Sequence, residues 1–243
     1  MKIFITLFIT IICSIGASAQ ENTNRQIEGK MEKEVTRNFY IKYLLYLPVD
    51  YDQREKWPLV LFLHGSGERG NDLNIVKRNG PPMLVQEGRK FPFILISPQC
   101  PMDKLWDPLL LTVLLDEIEN KFKVDKNRIY ITGLSIGGEG TWELAMATPK
   151  RFAAIAPVCG RTGSLYLNAC IIKDLPIWVF HGAKDDIVSI SESERMIKAL
   201  KDCGSNVRFT VYPEGNHNAW TDTYNNDELY TWLLEHHLVE TAK

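Results

Sequence analysis

The sequence has little of the features that mark several large classes of protein. Its formal net charge is only −2 at pH 7, and no basic stretch is interleaved with aromatic residues, which excludes an electrostatic surface for nucleic acid. It contains no C-x-x-C pair and no histidine-rich stretch, so no local spacing predicts a metal site. It also lacks internal repeats, low-complexity linkers and breaks in composition, which favours a single folded domain.

The first 19 residues have the pattern of a secretory signal peptide. Lys2 provides a positive start, residues 3–12 are almost continuously apolar, and residues 17–19 place small side chains where a signal peptidase reads them. The apolar run is too short to span a membrane. We therefore predict cleavage near Ala19, export to the periplasm or the medium, and no stable membrane anchor.

Short apolar segments alternate with helical patterns over residues 38–243, which we expect to form the single domain. The polar residues 20–37 before it predict a lead-in segment with a candidate first strand. Five runs are almost wholly apolar, which indicates strands covered on both faces, as in a parallel sheet: residues 59–63, 93–96, 129–132, 153–156 and 177–180. A further strand is predicted on each side of them, residues 39–47 and the alternating residues 207–212.

Helical spacing of apolar residues occupies the intervals between these strands. Helices are predicted over residues 109–122, 141–147 and 191–202, and a final one carries Leu229 and Leu233. Strands that alternate with helices predict an α/β fold with a mostly parallel central sheet and helices on both of its faces.

The four cysteines beyond the predicted signal peptide leave the disulfide pattern open. Export permits disulfides, and four cysteines allow three complete pairings among Cys100, Cys159, Cys170 and Cys203. Cys159 and Cys170 lie on one predicted loop and could pair. Buried free thiols are the alternative.

Residues 133–137 read G-x-S-x-G and stand between a predicted strand and a predicted helix. A nucleophile elbow requires this context: a tight turn raises a serine hydroxyl at the carboxyl edge of the sheet, where the helix dipole favours negative charge. The flanking glycines allow the helix to approach the strand closely. The alternative is a glycine-rich turn that happens to contain serine. We identify Ser135 as the candidate nucleophile.

A serine nucleophile needs a histidine to take its proton and a carboxylate to orient that histidine. In an architecture with such an elbow, both are expected on loops after later strands, the acid before the histidine. His217 follows the last predicted strand, and Asp185 and Asp186 both follow the strand before it. For either aspartate the alternative is a solvated turn. His64 and His181, each at a strand end before glycine, are expected to be structural.

A glycine-rich loop at residues 64–70 follows an early strand, where an oxyanion hole is expected. Two backbone amides should form it: that of Ile136, directly after the nucleophile, and that of Ser66, with Gly67 as the alternative. A phosphate-binding loop is disfavoured, because the Lys-Ser/Thr pair of that motif is missing.

These segments in this order resemble the α/β-hydrolase fold, specifically small exported esterases. The resemblance is to the branch that contains polyhydroxybutyrate-depolymerase-like, feruloyl and acetyl-xylan esterases, often labelled predicted peptidases. It covers about residues 38 to 240 and rests on residues 63–70, 97–101, 133–137, 181–188 and 215–217. The resemblance implies a Ser135, Asp185, His217 triad, with Asp186 as a bystander, no cofactor and no large lid. Relatives tend to carry a glycine run followed by Asp where this chain has residues 160–163. That loop borders the substrate cleft of the family, so the resemblance implies the chemistry and leaves the substrate choice open.

The predicted function is therefore a serine carboxylesterase that acts through an acyl-enzyme, with feruloyl or acetyl esters of plant polysaccharides as substrates. Trp106, Trp220 and Tyr224 lie on or near predicted loops and are candidates for stacking on sugar or aromatic rings, with core packing as the alternative. Other functions that fit are a serine peptidase with the same triad, a lipase, or a non-catalytic binding protein of the same fold. The acyl and alcohol groups and the oligomeric state are left open.

Overall fold

A computed structural model describes residues 28–238, so the predicted signal peptide and its cleavage site near Ala19 lie outside the described residues. The chain divides into two units, Met1–Arg37 and Asn38–Lys243. In the first unit, residues 28–37 are exposed and contain no helix or strand, so this part of the lead-in segment lacks the candidate first strand. Among residues 28–238, no helix combines the length and the apolar character that a bilayer crossing requires.

The second unit contains a mixed, mostly parallel sheet. The described residues form seven strands: β1 (Tyr43–Tyr46), β2 (Trp57–Leu63), β3 (Ile94–Pro98), β4 (Val124–Leu134), β5 (Ala154–Val158), β6 (Trp178–Gly182) and β7 (Arg208–Tyr212). Their order in the sheet is β1-β3-β2-β4-β5-β6-β7, and only β1 runs antiparallel to its neighbour. The predicted parallel sheet is confirmed, and β7 lies at its edge as the alternating pattern predicted.

Helices cover both faces of this sheet. Their bounds are α1 (Leu73–Val76), α2 (Gly80–Gln86), α3 (Pro108–Lys121), α4 (Ile136–Ala147), α5 (Ser191–Asp202), α6 (Trp220–Asn225) and α7 (Asp227–Glu235). Successive side chains of a strand point to opposite faces of the sheet. On one face, Leu59, Leu61 and Leu63 share a hydrophobic cluster with residues of α3, α4 and α5. On the other face, Val60 and Phe62 share a second cluster with residues of α2, α6 and α7. The two hydrophobic cores that result hold the sheet between the helical layers.

The helices α1 and α2 were not predicted, because neither has a visible periodicity. Helix α1 has only four residues, and α2 begins with Gly80 followed by two prolines. Gly80 has a φ of 67°, and a Cβ there would lie 2.6 Å from the Phe62 ring. The start of α2 is therefore specified by a tertiary contact as well as by proline at the first helical turn.

The long segment between β5 and β6 is attached to α5 at two places. Cys170, in the 3-10 helix Leu165–Ile172, forms a disulfide with Cys203, directly after α5. Near the other end, the Glu192 carboxylate accepts hydrogen bonds from the amides of Thr162 and Gly163, each at 2.9 Å. These two attachments hold the segment against α5.

The suggested pairing of Cys159 with Cys170 is wrong. Cys159 is a buried free thiol, and so is Cys100. Cys170 pairs instead with a cysteine 33 residues away, because packing of the 3-10 helix against α5 brings their Cα atoms to 5.3 Å. Separation along the chain was therefore a poor guide to the pairing.

We predict that removing the Cys170–Cys203 disulfide lowers the free energy of unfolding by about 3–4 kcal/mol, because the bond closes a loop of intermediate length. The measurement is urea unfolding followed by tryptophan fluorescence, on the oxidised protein, the reduced protein and a double variant with Cys170→Ala and Cys203→Ala. Reductant should leave the double variant unchanged. An equal unfolding free energy for all three would show that the bond contributes nothing to stability.

Candidate active site

The turn between β4 and α4 consists of Ser135 alone. Its φ is 55° and its ψ is −118°, a conformation that non-glycine residues rarely adopt. A Cβ at Gly137 would lie 2.0 Å from the Leu63 carbonyl oxygen, and one at Gly133 would lie 2.3 Å from the Gly137 carbonyl oxygen. No side chain fits at either position, which explains both glycines. The Ser135 amide donates to the Val158 carbonyl at 3.0 Å and so fixes the turn against β5.

The structure brings together the three side chains that the sequence analysis selected. Ser135 Oγ lies 2.9 Å from His217 Nε2, and His217 Nδ1 lies 2.8 Å from Asp185 Oδ2. The carboxylate can only accept, so Nδ1 carries the proton and Nε2 is free to accept from the serine hydroxyl. The His217 side chain is 17% exposed while that of Asp185 is fully buried, so the histidine faces solvent and its partner does not.

Backbone amides hold the Asp185 carboxylate in place. Its Oδ1 accepts from the amides of Ile187 and Val188, at 2.9 and 2.8 Å. Burial favours the neutral carboxyl, but the hydrogen bonds from His217 and from these two amides outweigh it and hold the pKa of Asp185 below its usual value. Asp186, the other candidate, is exposed to solvent.

His181 is a second support of Asp185. It is fully buried, and its Nε2 lies 2.8 Å from the Val188 carbonyl and 3.2 Å from Asp185 Oδ2. Its Nδ1 lies 2.8 Å from Ser193 Oγ on α5. His181 therefore ties the loop after β6 to the helical layer, which is the structural role that the sequence analysis expected.

The loop after β2 lies directly beside the elbow. A Cβ at Gly65 would come 2.6 Å from a Leu134 side-chain carbon, which shows how closely the two turns approach. Ser66 begins a 3-10 turn, Ser66–Glu68, and Ile136 begins α4. Amides at the first position of a helix have no acceptor within that helix. Neither of the two predicted oxyanion-hole amides is therefore bonded within its own helix, and their role stays a prediction.

His64 holds this loop through the backbone. Its Nε2 accepts from the Cys100 amide at 3.0 Å, so the proton is on Nδ1, which donates to the Gly65 carbonyl at 2.6 Å. Burial lowers the pKa of His64 to about 4, so the ring is neutral near pH 7. This matches the structural role expected for it.

Two of the three predicted stacking residues are core residues, and those predictions are wrong. Trp106 is 4% exposed and donates from Nε1 to the His64 carbonyl at 3.2 Å. Tyr224 is 1% exposed, and its hydroxyl lies 3.0 Å from Thr132 Oγ1 within the sheet. Neither ring has a face open to a substrate, because the packing of helices onto the sheet covers both.

Trp220 occupies a different position. It is partly exposed, and its ring meets the His217 ring edge-on, with 5.4 Å between centroids. Its role in substrate binding stays a prediction. Its Nε1 donates to Asn79 Oδ1 at 3.1 Å.

Asn79 was missed by sequence reasoning. Its Nδ2 donates to Glu68 Oε1 at 2.5 Å, and Glu68 is almost fully buried. A chain of contacts therefore runs from the Ser66–Glu68 turn through Asn79 and Trp220 to His217. No local signal marks this asparagine, because its partners come from loops distant in the sequence.

Cys159, for which the sequence leaves open a disulfide or a buried free thiol, is a buried free thiol and lies beside Asp185 and His217. Its sulfur, a carboxylate oxygen of Asp185 and a ring nitrogen of His217 all lie within 4.8 Å of one another. Burial raises the pKa of the Cys159 thiol to about 12, so it is not a nucleophile near neutral pH. Its φ of 40° is not visible in the sequence.

Comparison with known proteins identifies the family of the chain. The model of the dienelactone hydrolase family matches residues 92–230. The chain is 26% identical over 193 residues to a bifunctional acetylxylan esterase/xylanase from Neocallimastix patriciarum, covering 72% of this chain and 26% of that protein. It is 24% identical over 157 residues to a protein from Aspergillus terreus named "Probable feruloyl esterase C", covering 61% of this chain and 56% of that one.

A solved structure shows which fold the chain shares. The crystal structure of a thermostable esterase superposes with a TM-score of 0.68 at 35% identity, over 81% of this chain and 59% of that chain. The chain thus spans less than two thirds of the length of each of these three proteins. Because the family model covers more than half of the sequence, the expected resemblance is confirmed, and the chain belongs to the dienelactone hydrolase family, with the α/β-hydrolase fold.

Proposed function

We propose that this protein is an exported serine carboxylesterase that cleaves feruloyl or acetyl esters of plant polysaccharides. The observation that carries the reaction type is the continuous hydrogen-bonded series from Ser135 through His217 to the buried Asp185, at 2.9 and 2.8 Å. The substrate class is supported by the relatives named acetylxylan esterase and feruloyl esterase.

In the proposed reaction, His217 Nε2 takes the Ser135 proton as the serine oxygen attacks the ester carbonyl. The amides of Ile136 and Ser66 donate to the oxyanion that develops, and the Asp185 carboxylate stabilises the imidazolium. The imidazolium then gives its proton to the leaving alcohol, which breaks the ester bond and leaves an acyl group on Ser135. Water, deprotonated by the same histidine, releases the acid and restores the serine.

The surroundings of the site support a bulky ester. In the part of the chain that the structure describes, the segments between strands add only short helices, so no inserted domain covers Ser135. Ser66 and Gly67 are exposed beside the elbow, and Ser135 itself is partly accessible. An open site admits an ester linked to a polymer more easily than a closed pocket does.

Export is supported by the disulfide. The Cys170–Cys203 bond requires an oxidising compartment to form and persist. This agrees with the signal-peptide pattern of the first 19 residues.

The Ser135→Ala variant should lose at least a thousandfold in kcat, because the acyl-enzyme can no longer form. The measurement is the initial hydrolysis rate of p-nitrophenyl acetate, methyl ferulate, a long-chain p-nitrophenyl ester and a peptide p-nitroanilide. A Ser135-dependent preference for acetate or ferulate supports the proposal. Preference for the long-chain ester indicates a lipase, and preference for the peptide indicates a peptidase. If wild type turns over none of these and does not react with a fluorophosphonate, a binding role replaces the proposal.

Adjacent aspartates provide a matched pair of variants. Asp185→Asn should lower kcat by about 10³–10⁴-fold, because an amide favours the wrong tautomer of His217. Asp186→Asn, on the exposed neighbour, should change kcat less than about twofold. The measurement is the steady-state kcat of each variant on the preferred ester. An equal loss in both variants would contradict the assignment of Asp185.

Asn79 is proposed as a positioning residue for His217. Asn79→Ala removes the hydrogen bond that supports Trp220 and leaves the buried Glu68 carboxylate without its partner. The free energy of unfolding should fall by about 1–3 kcal/mol. We expect kcat to fall by about 5- to 50-fold with a smaller change in KM. Asn74→Ala, which removes an exposed asparagine on α1, is the control and should match wild type. A change confined to KM would instead indicate that Asn79 acts through the substrate.

A further inference from the structure

The Cys159 thiol lies beside Asp185 and His217, at a position that backbone hydrogen bonds hold in place. Cys159 directly follows β5, and its amide donates to the Phe180 carbonyl of β6 at 2.9 Å. The preceding carbonyl, that of Val158, accepts from the Ser135 amide. With its φ of 40°, Cys159 shares the left-handed region with Ser135. A strained residue is thus held between the two strands that carry the nucleophile and the acid.

The three side chains form a donor set of one sulfur, one nitrogen and one oxygen. Zinc binds these atom types at about 2.0–2.3 Å in a tetrahedron, which places ligand atoms about 3.5 Å apart. In the structure they lie within 4.8 Å of one another, so rotamer adjustments of about 1 Å bring them to that spacing. Magnesium and calcium instead require oxygen ligands, so the set selects for soft cations.

Charge also fits a divalent cation. A thiolate and a carboxylate together neutralise a charge of +2, and the imidazole is neutral when it coordinates. Cys159 and the Asp185 side chain are completely buried, where only a neutral assembly is tolerated at low cost. The thiol proton leaves to solvent as the sulfur–metal bond forms. His217, being partly exposed, provides the route of entry.

We propose that Cys159, Asp185 and His217 form an inhibitory site for Zn²⁺ or Cd²⁺. Coordination at His217 Nδ1 moves the ring proton to Nε2, which can then no longer accept the Ser135 proton. Coordination at Nε2 occupies that acceptor directly. Either mode stops the proposed hydrolysis, so the enzyme becomes sensitive to soft metal ions. This property goes beyond the proposed function, and its direct binding test does not depend on turnover.

The binding test uses untagged protein and Cd²⁺, whose bond to a thiolate produces an ultraviolet charge-transfer absorbance. Wild type and Cys100→Ala should show the band, while Cys159→Ser and Cys159→Ala should lack it. Cys100 is the matched control because it is the other buried free thiol among residues 28–238, and Cys170 and Cys203 are occupied by their disulfide. His217→Ala, which leaves Cys159 intact, should lower the Cd²⁺ affinity at least tenfold.

The activity test titrates ZnCl2 into each protein and normalises the ester hydrolysis rate to that of the same protein without metal. The zinc concentration for half-inhibition should rise at least tenfold in both Cys159 variants and stay unchanged in Cys100→Ala. EDTA should restore activity, and Mg²⁺ or Ca²⁺ should not inhibit.

Three results would contradict the proposed metal site. They are a Cd²⁺ band that persists in a folded Cys159 variant, a Cd²⁺ affinity that is unchanged in His217→Ala, and wild type that shows neither band nor inhibition. Far-ultraviolet circular dichroism establishes folding. Because His217→Ala changes a partly exposed side chain, it tests the site even if both Cys159 variants fail to fold.

Discussion

The approach of α4 to the carboxyl end of β2 is the constraint on which the rest of the site depends. At Gly137 the helix lies so near the Leu63 carbonyl that a Cβ would be 2.0 Å from it. This contact forces the chain to turn within one residue, and Ser135 takes the left-handed conformation as a result. The same contact places the first amide of α4 beside the loop after β2. The nucleophile and both proposed oxyanion donors therefore follow from one backbone packing event.

Parallel pairing then determines which loops meet. The strands β2, β4, β5, β6 and β7 all end at one edge of the sheet, so the segments that follow them converge there. At that edge the two side chains differ in exposure to solvent: Asp185 is buried and held by two amides, whereas His217 is partly exposed. A fixed, ionised acid and an accessible histidine are what acyl transfer from a serine requires.

The periphery of the site depends on contacts between distant segments. The Glu192 carboxylate and the Cys170–Cys203 disulfide attach the segment after β5 to α5, and Asn79 connects the buried Glu68 to Trp220 beside His217. Such contacts support the geometry of the candidate site without touching Ser135 itself. The Cys159 thiol is placed close to Asp185 and His217 by a different contact, the hydrogen bond of its amide to the Phe180 carbonyl of β6.

The sequence by itself determined the order of the seven strands and of the helices α3, α4, α5 and α7, the elbow, and the identity of the candidate nucleophile and base. These follow from local chemistry: periodic burial, glycines where no side chain fits, and the chain order that an elbow fold imposes. The preference for Asp185 over Asp186 came from the family resemblance. Only the tertiary structure decided that Trp106 and Tyr224 are core residues, that Cys170 pairs with Cys203, and that Asn79 and Cys159 adjoin the site. Each of these depends on packing between segments far apart in the chain, for which no local pattern exists.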